Sequence, residues 1–73
     1  MKPQIEIFQT NVSDPSKAQI ILNKIERTYP KYEVNFDLED CDRILRVSSL
    51  NPIDMSGLQG LLKHFDVTSE VLV

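Results

Sequence analysis

Two hydrophobic rhythms alternate along this chain, one of period two and one near 3.6, and together they predict six elements. Tyr32 to Glu39 shows the first most clearly: Tyr32, Val34, Phe36 and Leu38 fall on one side, Glu33, Asn35, Asp37 and Glu39 on the other. That alternation predicts a strand buried on one face. Arg43 to Ser49 returns after Asp40-Cys41-Asp42 with Leu45 and Val47 inward, so the two segments predict a hairpin. Gln4 to Thr10 is rich in isoleucine and carries Phe8, which predicts another strand. Its facing stays open, because Ile5 and Ile7 share one side and Phe8, Thr10 and Val12 share the other. Val67 to Val73 predicts the last strand.

The helical rhythm occurs twice. Ala18, Ile21, Leu22, Ile25 and Tyr29 make one stripe, preceded by Asp14 as a cap and Pro15 at the first helical position. Pro30 ends it, since proline disfavours a helical conformation in the residue before it. Met55, Leu58, Leu61, Leu62 and Phe65 make the second stripe, which Asn51-Pro52 is expected to open, with Asp54 in its first turn. Gly57 and Gly60 weaken that helix by about 1 kcal/mol each against alanine. The order is β-α-β-β-α-β. Right-handed crossovers place both helices on one face of a four-stranded antiparallel sheet, a ferredoxin-like α+β sandwich with strand order 4-1-3-2. In that topology the first loop, the Asp40-Cys41-Asp42 turn and the segment after the second helix share one end, so Asp14, Cys41 and His64 are expected near one edge.

The chain has 73 residues, of which 41% are hydrophobic and 26% charged, the profile of a single small domain spanning 1–73. Eight Lys and Arg against eleven Asp and Glu give a formal net charge of −3. The cations are scattered, whereas Asp37, Glu39, Asp40 and Asp42 lie together. A nucleic-acid or anionic-membrane partner, which needs a basic face, is therefore disfavoured. The first residues carry no secretory pattern, and one unpaired cysteine suits a reducing compartment, so the cytoplasm is expected. A single cysteine and a single histidine exclude an intrachain disulfide and a zinc finger. They offer no nucleophile and base at a legible spacing, so the expectation is a protein that is not an enzyme and uses no cofactor.

Asn11-Val12-Ser13-Asp14-Pro15-Ser16-Lys17, followed by Ala18, Ile21 and Ile25, resembles the first loop and helix of the heavy-metal-associated domain of copper chaperones and metal-transporting ATPases. The resemblance covers essentially the whole chain, and the hairpin YEVNFDLEDCDRILRV is similar to that family's valine-rich strand pair. It is also similar to a stand-alone bacterial subgroup, of Bacteroidetes type, that lacks the cysteines. The family opens its first helix with Gly-Met-Thr-Cys-x-x-Cys. Here Asp14 and Lys17 occupy the two cysteine positions. Soft thiolates select Cu(I), and a carboxylate beside an ammonium does not replace them. The resemblance therefore implies the fold without the copper transfer.

Two roles follow. The first is a non-enzymatic interaction or regulatory module that has lost its metal site and engages a protein partner or a second copy of itself. Its surface would comprise Ile5, Ile7 and Ile44 on the open side of the sheet, where Phe8 faces inward, together with the acidic run Asp37, Glu39, Asp40 and Asp42. The alternative is a divergent metal-binding or metal-sensing domain using Cys41 and His64, with Asp14 nearby. Against it, Asp14 is expected to serve as a helix cap, the acids flanking Cys41 are expected to discourage a reactive thiolate, and His64 suits the negative end of a helix dipole.

Overall fold

The alternation of β2 (Glu33–Asp37) and the inward Leu45 and Val47 of β3 (Ile44–Ser49) pair these strands antiparallel, with Phe36 opposite Leu45 and Val34 opposite Val47. A computed structural model, describing residues 2–39 and 43–72, adds β1 (Gln4–Thr10), α1 (Pro15–Thr28), α2 (Met55–His64) and β4 (Ser69–Leu72). The sheet order is β2-β3-β1-β4, with every neighbouring pair antiparallel. This is the expected ferredoxin-like order read from the opposite edge. The facing of β1 is decided by Phe8, which pairs with Leu45 on one side and Val71 on the other and is fully buried. Phe8, Thr10 and Val12 therefore lie under the helices, and Ile5 and Ile7 on the open side.

The helices meet the sheet through Ala18, Ile21 and Ile25 of α1 and Leu58 and Leu62 of α2. Asp14 caps α1 by accepting a 2.9 Å hydrogen bond from the Ser16 amide, and Pro15 follows as expected. The start of α2 differs from the sequence expectation. Its cap is Asp54, whose carboxylate accepts from the Gly57 amide at 3.0 Å, and Asn51-Pro52 lies outside the helix. The segment before Asp54 has other bonds. The Asn51 amide donates to Ser49 Oγ at 3.0 Å, and the Pro52 carbonyl accepts from the Tyr32 hydroxyl at 3.3 Å. That hydroxyl also accepts from the Asp54 amide at 2.8 Å, so a residue 22 positions earlier sets where the helix begins.

The far end of α2 closes with paired bonds from Asp66 N–H to the Lys63 carbonyl and from Val67 N–H to the Leu62 carbonyl. This is a Schellman closure, with Asp66 at φ 59 in the left-handed position that glycine usually takes. Buried Val67 and Leu62 supply the hydrophobic contact that accompanies it.

Candidate interaction face

Antiparallel register puts directly opposed residues on the same face of a sheet. The face away from the helices can therefore be written row by row from β2 to β4. At one end stand Asp37, Ile44, Gln9 and Glu70; in the middle, Asn35, Arg46, Ile7 and Leu72; at the other end, Glu33, Ser48 and Ile5. Ile5 is 55% exposed and Leu72 is 39% exposed, while Ile7 is half-buried. Among the described residues no helix packs on this side. Aliphatic residues occupy its middle and one flank, and the acids Glu33, Asp37 and Glu70 sit on the two outer strands.

The structure corrects one member of the expected surface. Ile44 belongs to this face but is only 8% exposed, so it supports the patch without offering contact area. Asp37 and Glu39 are exposed as expected. Asp40, Cys41 and Asp42 lie outside the described residues. Leu72, Arg46, Glu33 and Glu70 were missed. Glu33 and Arg46 follow from the alternation of β2 and β3 themselves, whereas the place of Leu72 and Glu70 follows from pairing to β1 and becomes legible only once Phe8 is known to face inward.

The expected convergence of loops holds for their described ends. The Arg43 carbonyl accepts from both the amide and the hydroxyl of Thr10, at 3.3 and 2.6 Å. Asn11 Oδ1 accepts from the Thr68 amide at 3.2 Å. These bonds tie the first loop to the start of β3 and to the segment after α2. Asp14 stands in that first loop, with its carboxylate engaged as the α1 cap. His64 lies on an open groove of about 430 Å³ between the helices, lined also by Lys24, Thr28, Tyr29, Leu61 and Phe65. Its ring meets Phe65 edge-on at 5.8 Å. Among the described residues no three of His, Cys, Asp and Glu are grouped so as to hold a metal ion.

A polar latch between the helices was also not visible in the sequence. Tyr29 closes α1, stacks on Tyr32 at 4.6 Å with the rings 4° apart, and donates its hydroxyl to Asp54 Oδ2 at 2.9 Å. Burial, then the hydrogen bond and charge of Asp54, raise the Tyr29 pKa above its ordinary value, with Tyr32 adding to the shift. Gly57 leaves room for this arrangement, because a Cβ there would collide with both Asp54 Oδ2 and the Tyr29 hydroxyl. The latch is structural: it joins the end of α1 to the start of α2 and holds the helix layer together.

Among the described residues no helix is long and apolar enough to cross a membrane. No family model, curated protein or solved structure matches the chain.

Proposed function

We infer that this chain is a non-enzymatic interaction module that docks a protein on the open face of its sheet. The observation that carries the reading is the asymmetry of the sheet: one face is sealed by two helices, and the other presents exposed Ile5 and Leu72 beside half-buried Ile7, with no described helix over them. Exposed aliphatic area framed by charge is the usual surface of a binding partner. The scaffold is that of a heavy-metal-associated domain whose metal loop has changed use. The use of Asp14 as a helix cap supports this reading, since the carboxylate in place of the first cysteine already has a structural task. The groove that His64 lines is open, and the residues that line it with His64, among them Lys24, Thr28 and Tyr29, include no carboxylate.

Photo-crosslinking side chains placed at positions 5, 72 and 20 in the living cell test the reading. Ile20 is 57% exposed, as much as Ile5, but lies on the helix layer. Discrete protein adducts are expected from positions 5 and 72 and not from 20. Adducts confined to position 20, or none from positions 5 and 72, would overturn it.

A further inference from the structure

We propose that the occupant of the open face is a single amphipathic helix whose aliphatic stripe is flanked on both sides by Lys or Arg. This rests on the reading of the face as a docking surface and adds the chemistry of what docks. Size limits the occupant first. Four strands at about 4.8 Å, with a rise of about 3.3 Å per residue over β3, give a face of about 19 by 20 Å. That is roughly 400 Å², about half of what each partner gives to a standard interface between globular proteins. A helix about 10 Å across covers it lengthwise with about 13 residues, at about 1.5 Å per residue. Such a helix would make a third layer matching α1 and α2 on the other side.

Charge then selects the flanks. Glu33 and Asp37 line β2, Glu70 lies on β4, and the aliphatic residues Ile5, Ile7 and Leu72 run between these edges or beside them. A helix along the strands brings its apolar stripe onto the isoleucines and its two polar shoulders over β2 and β4. Basic shoulders find acids on both sides, and a single acid on the helix matches Arg46 in the middle row. Among its described paired residues the face holds three acids and one cation, a formal balance of −2 beside −3 for the chain.

The same map disfavours a second copy of the chain. An aligned face-to-face pair turned about a two-fold axis along the strands sets Asp37 against Glu70 of the other copy. Turned about an axis across the strands, it sets Asp37 against Glu33 and Arg46 against Arg46. Both arrangements oppose like charges over an interface that excludes water.

The test is an NMR titration of the full chain with two synthetic 14-residue helical peptides sharing one leucine stripe, flanked by lysines in one and by glutamates in the other. The lysine peptide is expected to shift the amides of Ile5, Ile7, Arg46 and Leu72. Its affinity should fall at least tenfold in the triple variant Glu33→Lys, Asp37→Lys, Glu70→Lys, which should instead favour the glutamate peptide. Equal binding of both peptides by the parent, or a dimer through this face in sedimentation, would overturn the basic-helix inference and leave the docking reading intact. If neither peptide moves these amides, the inference falls, and the crosslinks at positions 5 and 72 decide separately whether docking stands.

Discussion

Gly57 and Gly60 sit three residues apart in α2, and intrinsic propensity assigns them the same cost. The surroundings separate them. At Gly60 a Cβ would meet no described atom within 4 Å beyond its chain neighbours and its own helix backbone, so Gly60→Ala should recover most of the helix penalty of about 1 kcal/mol. At Gly57 a methyl group enters the space held by Asp54 Oδ2 and the Tyr29 hydroxyl. Accommodating it displaces a carboxylate that caps α2 through the Gly57 amide and receives the Tyr29 bond. Losing the cap costs about 1 kcal/mol. Losing an exposed hydrogen bond to a charged group costs about another 1 kcal/mol. The propensity gain offsets about 1 kcal/mol of this, leaving Gly57→Ala destabilised by about 1 kcal/mol. For a domain of this size that lowers Tm by about 4–8 °C, and Gly60→Ala raises it by a similar amount. Thermal denaturation followed by circular dichroism reads both. In a Tyr29→Phe background the cost of Gly57→Ala should shrink, because the hydroxyl that the methyl meets is gone. A Gly57→Ala protein as stable as its parent would refute the reasoning, as would an unchanged cost in the Tyr29→Phe background.

Thr10→Val keeps the shape of a buried residue but removes the hydroxyl that donates to the Arg43 carbonyl and accepts from the Val12 amide; urea denaturation should show a loss of about 1–3 kcal/mol. Because Tyr29 is held above 10.0, the folded chain keeps a proton that the unfolded chain releases, so stability present below about pH 10 declines as pH rises above it. Tyr29→Phe should flatten that alkaline decline in urea midpoints, and an unchanged slope would refute the assignment. Titration of the reduced chain with Cu(I) and Zn(II) should give no binding at one ion per chain in the micromolar range or tighter; such binding, abolished by Cys41→Ser and His64→Ala, would favour metal sensing. The triple variant Glu33→Gln, Asp37→Asn, Glu70→Gln has no formal net charge, and sedimentation should show it associating more readily than its parent.

The elements whose identity depends on near neighbours were legible in the sequence. Asp14-Pro15 marked α1, and the strict alternation of Tyr32 to Leu38 marked β2, because in each case the deciding contacts lie within the element or one turn of it. The start of α2 was not legible in the same way. Asn51-Pro52 and Asp54 are both good openers, and the choice is made by the Tyr32 hydroxyl arriving from the connection between α1 and β2. The open face was half legible. Ile5 and Ile7 were identified as one of two possible outer sets, but period-two apolar residues on both sides of β1 leave its facing undetermined until Phe8 finds Leu45 and Val71. Leu72 and Glu70 depended on that same pairing. The Tyr29–Asp54 latch spans 25 residues and has no local signature at all.

The acids of the open face have two physical uses that can be told apart by sign. β2 and β4 are the edges of the sheet, and an edge exposes backbone donors and acceptors that invite another strand. Charges along such strands discourage pairing whether they are positive or negative, since what matters is like-charge repulsion and the cost of dehydrating an ion. Docking of a helix with basic shoulders depends on sign. Replacing the three acids by lysine leaves the edges charged and the net charge at +3, equal in magnitude to the parent, while inverting the face toward a partner. Replacing them by amides removes both functions together. The lysine variant therefore separates recognition from solubility: a chain that stays monomeric yet exchanges its preference between the two peptides carries acids chosen for a partner, and one that stays monomeric with no preference to exchange carries acids that only guard its edges.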